Sequence, residues 1–302
     1  MVSHTVRSRR QSAVVDALGR RVALTPVAAR IVSIVPSETE SVAVLGGLGR
    51  LVGRTRYCIE PAGAIEGVPD VGGTKDVDVD AVCDLRPDLV LANQEENTRR
   101  DVERLIAAGL RVHVSFPRTL PQSVDYLTSL AALLGLDPER DPRLERARDE
   151  LARLRDDPPP RVARAWVPIW RDPWMTFDGR PFASDVLAHA GIENVAAARA
   201  RRHPLAADLG ETAPARVAPE RDTRYPRMRL EEALALRPDL VLLPDEPYRF
   251  TAGDADEIRA VASPGTRVLH VDGRDLFWYG ARAIGAPSRL RSAIAASPGV
   301  SS

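Results

Sequence analysis

Lysine, cysteine and aromatic residues are scarce in this chain of 302 residues. Lys75 is the one lysine among 42 basic side chains, a bias that a GC-rich genome explains. Its retention in the loop 72–75 hints that a compact ammonium group is wanted there. Cys58 and Cys83 are too few for a disulfide framework and have no metal-ligand spacing, which indicates buried or incidental thiols.

Net charge and long apolar runs are also missing. The 42 basic residues balance 42 acidic ones, which removes the bulk electrostatic argument for a nucleic-acid or membrane-surface partner. No run approaches the roughly 20 apolar residues of a membrane span. Near the N-terminus the apolar run Ala13–Val15 is cut short by Asp16, so we expect no secretory signal in this chain.

A repeat is the clearest feature of what is present. The sequence LRPDLVL occurs at 85–91 and again 151 residues later, at 236–242, which indicates two lobes built by internal duplication. The same offset pairs Asp80 with Glu231 and Glu95 with Glu246. The glutamates follow the apolar runs, whereas the other pair lies near the starts of the preceding helices.

Each copy has the pattern of a helix, a tight turn and a buried strand, which predicts α/β lobes with parallel-rich sheets. The region between the copies predicts helices over 120–134 and 142–155, the second long enough to serve as a single backbone helix joining the lobes. We therefore expect a ligand cleft between two similar lobes. The predicted segments are a disordered terminus (1–12), an N-terminal lobe (13–120), a helical connector (121–158), a C-terminal lobe (159–296) and a tail (297–302).

Three local predictions bear on the site. A short hairpin is expected over 14–24 and a first buried strand over 30–35. Ser37 or Thr39 is expected to cap a helix over 40–48, with an anion-binding role for its free N–H groups left open. Residues 199–224 have no counterpart in the first lobe and predict a long exposed loop.

Seven stretches of the chain carry a family resemblance. They are RIVSIVPSETE (30–40), VGRTRYC (52–58), VGGTK (71–75), LRPDLVLANQEEN (85–97), IWRDPWM (169–175), LRPDLVLLPDEPYRF (236–250) and FWYGAR (277–282). In these stretches the chain resembles the substrate-binding proteins of ABC importers that carry cobalamin, haem or ferric siderophores, the helical backbone metal receptor type. The resemblance covers roughly residues 15 to 295.

The resemblance implies a docking function for Asp80 and Glu231. In that family one carboxylate on each lobe binds arginines of a two-fold symmetric permease, and these positions match. The alternative from the residues alone is that each carboxylate only complements the dipole of its own helix.

The resemblance also implies a ligand site lined from both lobes. Aromatic faces would stack on a large planar or macrocyclic ligand, and Arg282 could pair with a peripheral carboxylate or phosphate. The alternative is that Trp278 and Tyr279 only pack in the core, as is expected of Trp174 and Phe177. The matching positions are Ser37, Tyr57, Thr74 and Glu95 in the first lobe and Trp170, Glu246, Trp278, Tyr279 and Arg282 in the second.

Glu95 and Glu246 give this site a negative floor, which favours a ligand that carries a cation. Cobalamin binders tend to have an aromatic residue where this chain has Thr74, so the ligand stays open among a corrinoid, haem and a ferric chelate. We expect a monomer with no tightly bound cofactor, an extracytoplasmic location by the resemblance, and an ABC permease dimer as partner.

The sequence leaves three other functions to consider. A cytoplasmic relative would sequester or sense the same ligand. An enzyme could draw acid–base pairs from the carboxylates Glu38, Glu40, Glu95, Glu96 and Glu246, but no His or Cys stands near a serine motif. A direct zinc or manganese receptor is disfavoured because the histidines have no ligand spacing, and His113 is expected to be structural. The histidines are His4, His113, His189, His203 and His270.

Overall fold

The computed structural model describes residues 12–216, 218 and 221–297, which form two compact units. Unit 1 contains the described part of Met1–Phe116 together with Val124–Arg146, and unit 2 contains Pro117–Ser123 and the described part of Ala147–Ser302. The predicted disordered terminus 1–12, except Ser12, and the predicted tail beyond residue 297 lie outside the described residues.

Unit 1 is built on a parallel sheet. An antiparallel hairpin precedes it, as predicted, and the sheet has the strand order β4-β3-β5-β6. The strands are β1 (Ala13–Val15), β2 (Arg21–Ala23), β3 (Ile31–Ser33), β4 (Leu51–Arg54), β5 (Leu89–Asn93) and β6 (Val112–Ser115). The helices up to Asp156 are α1 (Pro36–Val44), α2 (Val79–Asp84), α3 (Arg99–Ala107), α4 (Leu120–Leu133) and α5 (Pro142–Asp156), of which α4 and α5 cross between the two units.

Unit 2 repeats this topology with its own parallel sheet, in the order β8-β7-β9-β10. Equivalent strands occupy equivalent places in the two sheets, so the predicted duplication and the predicted pair of separate sheets are both confirmed. The strands are β7 (Ala163–Trp166), β8 (Ile192–Asn194), β9 (Leu240–Pro244) and β10 (Arg267–Val271). The helices are α6 (Phe182–His189), α7 (Leu205–Asp208), α8 (Leu230–Ala235), α9 (Ala252–Val261), α10 (Arg274–Phe277) and α11 (Ala286–Ala296).

The LRPD repeat has the same local structure in both units. Helices α2 and α8 are each six residues long, and the arginine that follows each one is left-handed, with φ of 46° at Arg86 and 51° at Arg237. This reversal carries the chain into β5 and β9, all of whose residues are buried. Such runs, apolar on both faces, are what a parallel sheet covered by helices requires.

An arginine at the start of the first strand of each sheet binds this turn: Arg30 directly precedes β3, and Arg164 is the second residue of β7. Arg30 Nη2 donates to the carbonyl oxygen of Leu85 at 2.7 Å, and Arg164 Nη1 donates to that of Arg237 at 2.8 Å. These bonds satisfy carbonyls that the helix end leaves without an intrahelical partner. The duplication thus extends to side chains outside the identical seven residues.

Two predictions about elements differ from the structure. Helix α1 begins at Pro36 rather than Glu40, so Ser37 and Thr39 lie inside its first turn instead of capping it. Proline fits the first helical turn because it lacks only an N–H that would have no helical partner there. The two compact units also divide the predicted connector, at Ser123/Val124 within α4 and at Arg146/Ala147 within α5.

Candidate functional site

Three loops meet at the carboxyl edge of the sheet in unit 1. Lys75 Nζ donates to the carbonyl oxygen of Glu95 at 2.6 Å, and Asn97 Nδ2 donates to that of Thr74 at 3.0 Å. A Cβ atom on Gly73 would lie 3.2 Å from Cε2 of Tyr57, so the bare glycine lets the Tyr57 ring lie against the same loop. The structure therefore brings together Tyr57, Thr74 and Glu95, as predicted, and gives Lys75 a structural role.

Exposure separates the predicted residues of unit 1. The side chain of Tyr57 is 56% exposed, which leaves a ring face available to a ligand. Ser37, in the first turn of α1, is 1% exposed, so this structure does not present it to a ligand and its role as a ligand contact stays a prediction. Thr74 and Glu95 are partly exposed.

An aromatic ladder runs from the core of unit 2 to its surface. Trp166 meets Trp174 edge to face, Trp174 stacks on Phe250, Phe250 contacts Tyr248, and Tyr248 contacts Trp170. Trp170, which is 47% exposed, lies 5.4 Å from Tyr248 between ring centroids, at an interplanar angle of 68°. Edge-to-face pairs of this kind hold aromatic rings in defined orientations.

The sequence pattern did not predict Tyr248 as part of the candidate site. It stands in the matching stretch 236–250, three residues before Thr251, which caps α9 and fixes the end of that loop. Its position two residues after Glu246, at the end of a buried strand, was the available signal. Trp170 and Tyr248 together form the aromatic pair on the carboxyl edge of unit 2.

Glu246 lies in a crowded acidic environment on the same edge. Burial raises its pKa to about 7, an indole N–H bond from Trp278 lowers it, and the charges of Asp245 and Asp272 raise it again. Gly273 packs against its backbone, where a Cβ would come within 2.9 Å of the carbonyl oxygen of Glu246. Near neutral pH this carboxyl group is therefore poised between its charged and neutral forms.

Three further predicted residues of unit 2 have internal partners. Trp278 is 6% exposed and Tyr279 is 4% exposed, so neither presents a ring face to a ligand in this structure. Trp278 supports Glu246 from within, and Tyr279 meets Phe182 edge to face. Both residues follow the short helix α10, and their internal contacts favour the core alternative, while stacking on a ligand stays a prediction.

Arg282 is likewise engaged within unit 2. Its Nε donates to Asp275 at 2.8 Å, and its Nη2 donates to Asp272 at 2.6 Å. Arg274 also binds Asp272, and Arg289 also binds Asp275. These side chains therefore form a charge network around α10. A ligand carboxylate would have to displace one of these partners to reach Arg282.

The predicted docking carboxylates occupy equivalent places in their units. Asp80 and Glu231 are both the second residue of a short helix, and both are exposed, Asp80 with 92% of its side chain. Arg104 lies 3.9 Å from Asp80, a weak surface pair. The α2 helix has its own cap in Asp78, which accepts from the N–H of Ala81 at 3.0 Å.

Neither thiols nor metal-ligand clusters define a site in the part of the chain that the structure describes. Cys58 is buried, burial raises the pKa of its thiol, and both cysteines are free. No group of three or more His, Cys, Asp or Glu residues there could hold a metal ion. Burial also lowers the pKa of His113 to about 4, which keeps it neutral in the core, as expected of a structural histidine.

Two separate parallel sheets of identical strand order, each with loops of the candidate site at its carboxyl edge, define a duplicated α/β protein. The sequence model of the periplasmic binding proteins matches residues 31–221, more than half of the chain. The chain belongs to this family.

The curated relatives that match this chain are vitamin B12-binding proteins. Vitamin B12-binding proteins of Yersinia pestis (strain Pestoides F) and Yersinia pseudotuberculosis (serotype O:1b) are each 29% identical to this chain over 174 residues. The match covers 56% of this chain and 60% of each relative, so the chain spans less than two thirds of their length.

Solved structures agree on the fold. The periplasmic vitamin B12-binding protein BtuF of Vibrio cholerae has a TM-score of 0.65 at 20% identity, covering 89% of this chain and 97% of its own. The periplasmic haem-binding protein RhuT of Roseiflexus sp. RS-1 has a TM-score of 0.69 at 20% identity, covering 87% and 97%. Helicobacter pylori CeuE with bound Ni(II) has a TM-score of 0.69 at 15% identity, covering 93% and 88%.

Within the described residues, no helix has both the length and the apolar character needed to span a bilayer.

Proposed function

We propose that this chain is the ligand-binding component of an ABC-type importer and that it binds a cobalamin-like, haem or iron-chelate ligand. The observation that carries the proposal is the aromatic pair on the carboxyl edge of unit 2, in which Trp170 is 47% exposed and Tyr248 is partly buried against the core. Tyr57 supplies an exposed ring on the same edge of the sheet in unit 1. Flat, partly wetted faces of this kind suit a broad planar or macrocyclic ligand.

The charges on these edges support a ligand that carries a cation. Glu95 and Glu246 follow equivalent strands, and Glu246 is held by the indole of Trp278 with Asp245 close by. A metal centre near such carboxylates would lower their pKa values and favour their charged forms. The ligands named for the relatives, vitamin B12 and haem, both contain a metal within a macrocycle.

Docking on a permease is part of the same proposal. Asp80 and Glu231 present one exposed carboxylate per unit at matching helix starts. A two-fold symmetric membrane partner needs one anion from each half of a duplicated binding protein. An extracytoplasmic location follows from this function and from the family, and we propose no catalytic role.

Absorbance spectroscopy tests the ligand. The purified protein is titrated with cyanocobalamin, haemin and a ferric catecholate chelate, and a saturable spectral change with one of them is expected. Trp170→Ala should weaken that binding by about 1 to 3 kcal/mol. Val162→Ala is the matched control, because Val162 is also exposed but precedes β7 at the opposite edge of the sheet. No saturable change with any of the three would refute the proposed ligand class.

A further inference from the structure

The insert, residues 199–229 between β8 and α8, concentrates positive charge in a chain that is neutral as a whole. It holds eight arginines against four acidic residues. The arginines are Arg199, Arg201, Arg202, Arg216, Arg221, Arg224, Arg227 and Arg229, and the acids are Asp208, Glu211, Glu220 and Asp222. For residues 199–224 of this insert, the sequence predicts only a long exposed loop.

Asp208 organises the insert. It is fully buried, and its two oxygens accept from the backbone N–H of Arg202 at 2.8 Å and of Arg227 at 2.6 Å. Arg199 adds an ion pair at 3.5 Å. The carboxylate therefore ties the outgoing and returning arms of the insert together, and around Asp208 the described part of the insert has a buried interior.

The other described acids of the insert are also paired. Glu211 binds Arg229 at 2.9 Å, and Asp222 binds Arg224 at 2.7 Å. In contrast, no described carboxylate lies within 4.0 Å of the guanidinium groups of Arg201, Arg221 or Arg227. Within the described part of the insert, these three are thus among the arginines whose positive charge no neighbouring carboxylate offsets.

The backbone brings this excess to one place. The N–H of Arg201 donates to the carbonyl oxygen of Thr223 at 2.8 Å, and the N–H of Ala215 donates to that of His203 at 2.7 Å. Residues 201–203 thus lie beside the returning arm, which carries Arg221 and Arg227. Burial lowers the pKa of Arg227, and the charge of Arg201 lowers it further, while Asp208 opposes them. The guanidinium groups of Arg201 and Arg227 are therefore close enough to repel each other.

His203 and Arg201 place unpartnered polar atoms in this cluster. His203 is 5% exposed, and its ring bonds the backbone carbonyl of Asp222. Among the described residues, neither Nε2 of His203 nor the buried Nε of Arg201 has a hydrogen-bond partner. Burial lowers the pKa of His203, and Arg201 and Arg221 lower it further while the Asp222 carbonyl and Asp208 oppose them. Buried polar atoms left in this way cost stability unless a partner arrives.

We propose that the insert of unit 2 is a binding site for a phosphate-type oxyanion, held by Arg201, Arg221, Arg227 and Nε2 of His203. Guanidinium groups fork onto phosphate oxygens in pairs, and an anion offsets the repulsion among the three arginines. The imidazole Nε2 accepts from a protonated oxyanion when the ring is neutral and donates when the ring is charged. The site is independent of the ligand proposed for the aromatic edges.

Isothermal titration with inorganic phosphate, at constant ionic strength set by chloride, tests the site on the full chain. Arg201→Gln should weaken phosphate binding by about 10- to 100-fold, the loss of one or two charge-assisted hydrogen bonds. Arg202→Gln is the matched control: it removes the same charge one residue away, from an exposed side chain outside the cluster, and should bind phosphate like the parent.

A second variant and a second arm complete the test. Arg221→Gln changes an exposed side chain, so it carries the test if Arg201→Gln fails to fold. Sedimentation with phosphatidic acid vesicles, against phosphatidylcholine vesicles, distinguishes a lipid headgroup from a free anion as the source of the phosphate. Binding in either arm that Arg201 or Arg221 variants lose supports the site. Absence of binding in both arms, or equal binding by the parent, Arg201→Gln, Arg221→Gln and Arg202→Gln, overturns it.

Discussion

At the scale of single residues, Glu246 couples the candidate site to pH. Its folded pKa of about 7 lies above the ordinary value of 4.5, so the folded protein holds this proton more tightly than the unfolded chain. Stability linked to Glu246 is therefore full below about pH 4.5 and is lost as the pH rises through 7. The indole of Trp278 lowers the pKa of Glu246, because its hydrogen bond stabilises the charged form of the carboxyl group.

Glu246→Gln should remove this loss. Glutamine keeps an oxygen for the indole N–H of Trp278 but cannot ionise, so the variant should be more stable than the parent at pH 8, by about 3 kcal/mol at most. At pH 4.5 the two proteins should have nearly equal stability. Urea unfolding at the two pH values measures the difference. Asp80→Asn removes a carboxylate from an exposed position and serves as control; an equal gain there would contradict the argument.

Arg86 and Arg237 hold left-handed backbone in the two LRPD turns, with exposed side chains. Glycine adopts this conformation without the clash of a Cβ atom. Arg86→Gly and Arg237→Gly should therefore each raise the free energy of unfolding, by about 0.5 to 1 kcal/mol. Denaturant titration measures the gain.

Arg146→Gly provides the contrast for this pair. Arg146 is an exposed arginine in the middle of α5, where glycine should cost about 1 kcal/mol. Losses of similar size in all three variants would show that the two turns store no strain.

At the scale of elements, the short helices α2 and α8 carry the proposed contacts to a permease. Asp80→Ala and Glu231→Ala should leave ligand affinity unchanged and weaken association with a purified cognate permease in detergent. Asp84→Ala, at the far end of α2, should change neither. Loss of ligand binding in a folded Asp80 or Glu231 variant would place these carboxylates in the ligand site instead.

Much of the element structure followed from sequence because the duplicated pattern constrains it twice. Buried strands β5 and β9, the turns before them and the equivalence of Asp80 with Glu231 all come from one repeated stretch. The predicted start of α1 at Glu40 is wrong because Ser37 and Thr39 were expected to cap the helix, whereas Pro36 begins it.

The site was only partly predictable, because sequence position does not give side-chain direction. Trp278 and Tyr279 follow the last strand of the unit 2 sheet and the short helix α10, yet their side chains are buried. Tyr248 is partly buried against the core and meets Trp170 through a contact between distant segments that no local pattern encodes. The loop predicted over 199–224 is exposed at residues 210–216, whereas its buried part around Asp208 depends on hydrogen bonds between distant residues that no local pattern encodes.

At the scale of the whole molecule, neither unit is a continuous stretch of chain. Unit 1 recruits Val124–Arg146, whose contacts include Arg50 Nη1 donating to the carbonyl of Leu134 at 2.8 Å and Arg143 Nη1 donating to that of Val44 at 2.9 Å. Leu127, Leu130 and Leu144 of this segment are fully buried. Unit 1 therefore needs residues that follow the first crossing of the chain into unit 2.

A fragment of residues 12–116 should not fold, whereas residues 12–147 should. The shorter fragment lacks the buried leucines of the recruited segment, each worth about 1.5 to 3 kcal/mol of burial. Circular dichroism during heating should show a cooperative transition only for the longer fragment. A cooperative transition in residues 12–116 would show that the recruited segment is dispensable.

The aromatic ladder of unit 2 has an optical consequence. Of the four tryptophans of the chain, Trp166, Trp174 and Trp278 are buried and Trp170 is 47% exposed. Emission from Trp170 should thus be the red-shifted part of the fluorescence and the part that acrylamide quenches first. An occupant of the carboxyl edge would shield that indole, so quenching of the unlabelled protein reports occupancy even for a colourless ligand.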